Sequence, residues 1–247
     1  MQPHIEHFTT RYYEMGQDHR LRVQALCNYM EEAAGLHADA LGVGLDRLLE
    51  QNLTWVLAKM RLEIHERPGG GEHLQVETWP VNVERLQFRR DFLVTGLDER
   101  ILARGVSMWV VVGLDSRRVE RIPENVAALK PDDPRLALED ADIRVPAPYD
   151  AHEGPVFPVR LSDIDQNRHV NNNRYIDFIL EASENFGAQG DLKRLDIMFR
   201  AEGPRGDVIG SRTGALIEQG NAGNNLLHSL YRLSDGQELV RARSVWG

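Results

Sequence analysis

Residues 160–183 carry the sequence RLSDIDQNRHVNNNRYIDFILEAS, in which a polar segment leads into an amphipathic helix. Asparagine is a favoured N-cap residue, and the asparagines at 171–173 come just before the helical pattern. The pattern places side chains at three- and four-residue steps on one helix face: Ile176, Ile179, Leu180 and Ser183. We predict a helix that begins around 171–173 and ends near Gly187.

The same helical pattern occurs earlier in the chain. There the residues of one face are Val23, Leu26, Met30, Ala33, Ala34 and His37. The two helices share a detail, Glu-Ala-Ala at 32–34 and Glu-Ala-Ser at 181–183, and the first helix is predicted to end near Gly42 or Gly44. The repetition indicates that the chain contains two copies of one structural unit.

Each helix is followed by four strand-like runs separated by turn residues. The runs are 55–65, 72–81, 86–97 and 101–113 after the first helix, and 194–201, 207–218, 225–234 and 238–246 after the second. The last run of each set contains a Ser-x-Trp triplet, at 107–109 and at 244–246. One long helix followed by an antiparallel meander, twice over, predicts an α+β fold in which each sheet wraps over its own helix.

Proline divides the two copies. Seven of the eleven prolines lie in residues 122–158, and proline is unfavourable in a helix interior or a central strand. We therefore predict an N-terminal repeat at 1–121, a proline-rich linker at 122–158 and a C-terminal repeat at 159–247.

Composition narrows the class of protein. The 247 residues include 38 acidic and 29 Lys+Arg side chains, and a net charge of −9 opposes sequence-independent binding to nucleic acid. No apolar run approaches the ~18 residues of a membrane span, and the N-terminus does not resemble a secretory signal. We expect a cytoplasmic protein, without an internal disulfide because Cys27 is the single cysteine.

The polar segment before the second helix is the candidate site. Asp163, Asp165, Asn167 and His169 alternate, so in an extended segment they would project to one side, next to the N-terminus of a helix. These residue types suit hydrolysis of an acyl group, because they can activate water and orient a carbonyl. Each is also an ordinary turn or cap residue, and we assign that structural role to Asp163, Asn172 and Asn173.

The string SDIDQNRHVNNNRYIDFILEAS at 162–183 resembles the signature of the fatty acyl-acyl carrier protein (acyl-ACP) thioesterases, most closely a bacterial member. The segments FTTRYYEMGQD at 8–18 and IMFRAEG at 197–203 are similar to that family as well. The resemblance implies a tandem (double) hot-dog fold, in which each long helix lies in a curved antiparallel sheet. It also implies that the N-terminal repeat binds the acyl chain and the C-terminal repeat is catalytic.

By this resemblance, the functional residues of the family fall on Asp165, Asn167, His169 and Glu202. Plant members have Cys directly after that Glu, whereas this chain has Gly203, so a cysteine acyl-enzyme at this position is excluded. We expect Asp165 and Glu202 to position and activate water, or Asp165 to attack directly, while His169 assists proton transfer and Asn167 orients the carbonyl or the water. The backbone N–H groups of Val170 and Asn171 are expected to stabilise the oxyanion.

Candidate acyl-binding residues are Met30, Ala34, Trp55 and Leu57, although core packing is the stronger explanation for each of them. An acidic carrier protein would need a basic docking surface. Two arginine clusters are candidates for it, one at 117, 118 and 121 and one at 85, 89 and 90.

The expected activity is hydrolysis of long- or medium-chain acyl-ACP. An acyl-CoA thioesterase or a non-catalytic acyl-binding hot-dog protein remains an alternative. No metal spacing or phosphate-binding loop is recognisable, so we predict no cofactor, and the oligomeric state, monomer or homodimer, stays open.

Overall fold

The protein is described here as a computed structural model covering residues 1–132, 135–216 and 225–247. The chain divides into two units, Met1–Ala141 and Asp142–Gly247. Each unit contains one long helix and an antiparallel sheet.

The first unit contains helices α1 (Val23–Ala40), α2 (Leu45–Leu49) and α3 (Glu124–Ala127). Its strands are β1 (His4–Thr9), β2 (Leu53–Ile64), β3 (His73–Glu84), β4 (Gln87–Gly96), β5 (Ile101–Gly113) and β6 (Val119–Glu120). The five longer strands lie in the order β1-β3-β4-β5-β2, and β6 pairs with β5. Helix α1 contacts β3 and β1 with its predicted face.

The second unit contains helix α4 (Asn172–Phe186). Its strands are β7 (His152–Pro158), β8 (Leu192–Phe199), β9 (Val208–Ala215), β10 (Asn225–Arg232) and β11 (Glu238–Trp246). They lie in the order β7-β9-β10-β11-β8, which is the strand order of the first unit. This shared order, with a long helix in each unit, confirms the predicted α+β tandem hot-dog fold.

The ends of α4 follow from local chemistry. The Asn171 side chain accepts a hydrogen bond from the Asn173 N–H at 2.8 Å, and this N-cap starts the helix. The helix ends at Gly187, whose φ of 102° lies in the left-handed region that glycine adopts readily. Both ends were predicted from the sequence.

The repeated Ser-x-Trp triplet has the same structural role in both units. The Trp109 indole N–H donates to Ser107 Oγ at 2.8 Å, and the Trp246 indole N–H donates to Ser244 Oγ at 2.9 Å. Both bonds lie within one strand and satisfy a partly buried indole. The triplet is thus a sequence marker of the last long strand in each copy.

Both long helices are amphipathic. In α1, Leu26 and Ala33 are fully buried, whereas Glu31 and Glu32 are exposed. Within the described residues, no helix is long and apolar enough to cross a membrane.

The sequence did not predict β1, β7, α2 and α3. β7 and α3 fall inside the proline-rich range 122–158, and the boundary in the chain between the two units, after Ala141, also falls in that range. β7 tolerates Pro155 and Pro158 because it is an edge strand that pairs only with β9 among the described strands. Residues 133–134 of the predicted linker and the end of the predicted strand 207–218 lie outside the described residues.

In the cluster at 85, 89 and 90, Arg89 and Arg90 lie in β4 and are buried, so the docking role considered for these two arginines is wrong, whereas Arg85 is exposed. Arg89 forms a two-fold ion pair with the buried Asp91, at 2.7 and 2.8 Å, and also donates to Leu138 O. Arg90 donates to His37 Nδ1 at 3.1 Å and to Thr78 Oγ1 at 3.2 Å. In contrast, the cluster at 117, 118 and 121 is exposed.

Candidate active site

The segment before α4 is a turn rather than an extended strand. A 3-10 turn at Leu161–Asp163 leads into it. The Asp165 N–H donates to His169 O at 2.9 Å, and the Arg168 N–H donates to Asp165 O at 3.0 Å. Arg168 has a φ of 67°, in the left-handed region. The predicted alternation of side chains on one side of an extended segment is therefore wrong.

The carboxylate of Asp165 explains this turn. Its Oδ1 accepts the N–H groups of Asn167 at 2.8 Å and His169 at 3.3 Å. Asp residues commonly close turns by accepting backbone N–H groups a few residues further on. Asp165 Oδ2 has no hydrogen-bond partner within the described residues. One oxygen thus braces the turn while the other remains available.

The structure brings His169 next to Glu202, 33 residues further along the chain. His169 Nε2 lies 3.3 Å from Glu202 Oε2, and these side chains are 29% and 44% exposed. The two segments are joined by a bridge between His169 and Pro204 and by the Val170 N–H, which donates to Gly203 O at 2.8 Å. The Glu202 backbone is held in turn by Arg232, whose Nη2 donates to its carbonyl at 2.9 Å.

Asn167 and the backbone N–H groups of Val170 and Asn171 complete the set of predicted site residues. Asn167 is exposed and lies on the same turn. The N–H groups of Val170 and Asn171 are already bonded, to Gly203 O and Asp163 O, each at 2.8 Å. The expectation that these two groups stabilise an oxyanion is wrong for this conformation, because they hold the turn against its neighbours.

Asp163 has the structural role assigned from the sequence. It is 2% exposed, and its carboxylate accepts the Arg160 N–H at 2.8 Å and Arg174 Nε at 3.0 Å. Arg174 lies in α4 and also pairs with Asp177. Asp163 therefore ties the turn to the first part of α4.

The first unit contains a copy of this turn without its acid–base groups. The Gly16 N–H donates to Arg20 O at 2.8 Å, the Leu21 N–H donates to Pro68 O at 2.8 Å, and His19 has a φ of 59°. These three features match those at Asp165, Val170 and Arg168. In the copy, the positions of Asp165, Asn167, His169 and Glu202 are occupied by Gly16, Asp18, Arg20 and Arg67.

Within the copy, Asp18 forms an ion pair with Arg67. Partial burial raises the pKa of the Asp18 carboxyl, but the Arg20 backbone hydrogen bond and the hydrogen bond and charge of Arg67 together outweigh it, so the pKa lies below its usual value. The copy therefore joins its two segments through the Asp18–Arg67 ion pair, whose positions correspond to Asn167 and Glu202 of the second unit. Sequence reasoning missed this match, although the strings at 8–21 and 157–170 align without a gap.

The four candidate acyl-binding residues lie in the first unit. Met30, Ala34 and Leu57 are buried, with Met30 packed against Gly105. Trp55 is partly buried, packs at 5.6 Å from Phe88 and donates its indole N–H to Val43 O. These are core contacts, and an acyl-binding role for the four residues stays a prediction.

A buried polar cluster beneath α4 was not predicted. His228 is fully buried, with Nε2 2.8 Å from Ser244 Oγ and Nδ1 3.1 Å from Thr213 Oγ1. Burial lowers the pKa of His228 to about 3, so the imidazole is neutral near pH 7. With both nitrogens bonded inside the fold, His228 is a structural residue.

Within the described ranges, no group of three or more His, Cys, Asp or Glu side chains is arranged to hold a metal ion.

Comparisons with known proteins agree with this division into two units. The family described as acyl-ACP thioesterase N-terminal domain matches residues 2–129, and the acyl-ACP thioesterase C-terminal domain matches residues 147–247. The chain is 29% identical to oleoyl-acyl carrier protein thioesterase 1 of Arabidopsis thaliana, over 98% of this chain and 75% of that protein. It is 32% identical to the palmitoyl-acyl carrier protein thioesterase of Cuphea hookeriana, over 98% of this chain but only 61% of that longer protein.

Solved structures give the same result. An acyl-ACP thioesterase from Bacteroides thetaiotaomicron superposes with a TM-score of 0.83 at 26% identity, covering 98% of this chain and 97% of that one. The 12:0-ACP thioesterase from Umbellularia californica also gives 0.83, at 27% identity, covering 99% and 94%. With both units matched in order, the chain belongs to the acyl-ACP thioesterase family.

Proposed function

We propose that this protein hydrolyses the thioester of a long- or medium-chain fatty acyl-ACP, releasing a free fatty acid and the carrier with its thiol. Family membership supports the reaction class, since its curated relatives are thioesterases that act on acyl carrier proteins. The observation that carries the proposal is the 3.3 Å approach of His169 Nε2 to Glu202 Oε2 at a partly exposed position.

The geometry suits general acid–base catalysis by His169. A neutral imidazole that donates its Nε2–H to Glu202 leaves Nδ1 as a proton acceptor, and Nδ1 has no partner within the described residues. Water attacks the thioester carbon while its proton passes to Nδ1. The tetrahedral intermediate then expels the carrier thiolate, which takes this proton from His169.

The two carboxylates support different parts of this reaction. Glu202 stabilises the imidazolium that forms when His169 takes the proton. Asp165 braces the turn with Oδ1 and can hold the attacking water with Oδ2, next to Asn167, which can orient the carbonyl or the water. We assign Asp165, Asn167, His169 and Glu202 to the catalytic site on this basis.

The first unit is assigned to the acyl chain. Its copy of the turn has Arg20 and Arg67 where the second unit has His169 and Glu202, so it has no equivalent acid–base pair. Met30, Ala34, Trp55 and Leu57 of this unit are the proposed contacts to the acyl chain.

The test is a comparison of carriers with one acyl group. Purified protein is incubated with palmitoyl-ACP and with palmitoyl-CoA, and the released thiol is measured over time, with His169→Ala as the inactive control. We expect faster release from the ACP substrate and at least about a 100-fold loss in the His169 variant. Faster release from CoA would favour the acyl-CoA alternative. Tight acyl binding without thiol release would favour an acyl-binding protein.

A further inference from the structure

The side chain of Tyr175 lies beneath the candidate active site. It belongs to the first turn of α4 and is 2% exposed. Its ring meets Phe178 edge-on, with centroids 6.1 Å apart, and Phe199 at 6.3 Å. Held between these two rings, Tyr175 has little freedom to move its hydroxyl.

That hydroxyl is sealed from solvent and has no well-formed hydrogen bond within the described residues. Buried polar groups are nearly always bonded, so an exception calls for an explanation. Burial also raises the pKa of Tyr175 above its usual value, with a smaller opposing effect of the adjacent Gly203 backbone, so the hydroxyl stays protonated. A buried neutral hydroxyl without a hydrogen-bond partner costs the folded protein stability, so its presence here calls for a reason other than stability.

The hydroxyl lies where a side chain at position 203 would stand. A Cβ added to Gly203 would be 2.7 Å from Tyr175 Oη, closer than real Cβ atoms approach other atoms. Its next neighbours, Leu239 and Val170, would be at ordinary contact distances of 3.4 and 3.5 Å. Among the described residues, the Tyr175 hydroxyl is thus the one atom close enough to exclude a side chain at position 203.

Gly203 is the residue that joins the two halves of the site. It follows Glu202 directly, and its carbonyl accepts the Val170 N–H next to His169. A shift of the Gly203 peptide therefore changes the distance between His169 and Glu202.

We infer that Tyr175 is a positioning residue, whose hydroxyl supports the Gly203 peptide from below and so sets Glu202 against His169. The inference rests on the proposed function, since it assigns a purpose to this spacing. Tyr175 does not touch the reacting groups itself. Gly203 and Tyr175 are sterically complementary, because the Tyr175 hydroxyl occupies the space that a side chain at position 203 would need.

The experiment is a double-mutant cycle with Tyr175→Phe and Gly203→Ala, assayed on palmitoyl-ACP. Tyr175→Phe keeps the ring between its neighbours and removes only the hydroxyl. We expect kcat to fall about 5- to 20-fold with KM unchanged, and the acid limb of the pH–rate profile to move to lower pH, because Glu202 stabilises the imidazolium less. The thermal midpoint should not fall, since the lost group is an unbonded buried hydroxyl.

Gly203→Ala alone should lose about 100-fold or more in kcat, because the new methyl group meets Tyr175 Oη. The double variant should recover to the level of Tyr175→Phe, since the hydroxyl in its way is gone. Matched controls are Tyr13→Phe, a tyrosine that is 78% exposed, and Gly35→Ala, where an added Cβ meets nothing within 4 Å. Neither control should change kcat.

Two results would overturn the inference: unchanged kcat and pH profile in Tyr175→Phe, or a double variant no better than Gly203→Ala. If the wild-type protein does not hydrolyse acyl thioesters, the proposed function fails instead. The positioning role then still has a readout, the His169 ring signals in the NMR spectrum. These signals should shift in Tyr175→Phe but not in Tyr13→Phe, and identical spectra in both would refute it.

Discussion

Replacing Glu202 by Gln isolates the contribution of its charge to catalysis, because glutamine keeps the size of the side chain and an acceptor oxygen. The effect can be estimated from the 3.3 Å between His169 Nε2 and Glu202 Oε2. A charge pair at this distance interacts by about 5 kcal/mol at an effective dielectric constant of 20 and about 1.3 kcal/mol in bulk water. With exposures of 29% and 44%, the pair lies toward the aqueous limit.

We therefore expect the glutamine variant to lose about 1.5–2 kcal/mol of transition-state stabilisation, which is about 10- to 30-fold in kcat. The assay is single-turnover hydrolysis of palmitoyl-ACP, in which product release does not limit the rate. Combining Glu202→Gln with His169→Ala should cost no more than His169→Ala alone, because the charge acts only through the imidazolium. Glu181→Gln, an exposed carboxylate on α4, is the matched control and should have no effect.

The reasoning is refuted if Glu202→Gln is as active as the wild type, since the short distance would then have no consequence. It is also refuted if the two substitutions are additive, because Glu202 would then act independently of His169. High salt provides a further check. If the charge pair contributes as estimated, the difference between wild type and Glu202→Gln should shrink at 1 M salt, where exposed charges are screened.

Three further predictions follow from other residues. Asp165→Asn should lower kcat about 100-fold without lowering the thermal midpoint, since an amide oxygen can still brace the turn; near-normal turnover would leave Asp165 a brace only. Because burial lowers the pKa of His228 to about 3, the unfolded chain takes up a proton below about pH 6.5 that the folded chain does not. The free energy of unfolding should then fall by about 1.4 kcal/mol per pH unit as the pH drops from about 6.5 toward 3. When this free energy is measured by urea unfolding at several pH values, it should depend less steeply on pH in His228→Phe than in the wild type, and an equal dependence on pH would contradict this. Arg118→Glu with Arg121→Glu should raise KM for acyl-ACP but not for a short soluble thioester, and an equal rise for both would argue against docking.

The fold was largely predictable because its signals are local. Helical periodicity and the Asn171 and Gly187 caps gave the bounds of α4. The Ser-x-Trp triplets, each closed by a hydrogen bond within one strand, indicated the duplication. The edge strands β1 and β7 were missed because their sequences lack a strong alternating pattern and β7 contains two prolines.

The site was less predictable because its geometry depends on contacts between distant segments. Nothing local indicated that Glu202 would meet His169; only the family resemblance named it. The turn at 165–169 was predicted as extended. The spacing of side chains gives no sign that one carboxylate, that of Asp165, accepts hydrogen bonds from two backbone N–H groups. The burial of Arg89 was equally hidden, since its partner Asp91 sits on the same strand and would pair in solvent as well.

The turn at 16–20 has the same backbone hydrogen bonds as the turn at 165–169, but its side chains differ in chemical type. The bonds that close both turns involve main-chain atoms, which amino-acid replacement leaves in place. After a gene duplication, the shape of such a loop can therefore outlast its chemistry. This chain contains both kinds of loop, one with the acid–base residues and one without them. Exchanging the side chains of the two loops would measure whether the conserved backbone is sufficient to support the chemistry in either unit.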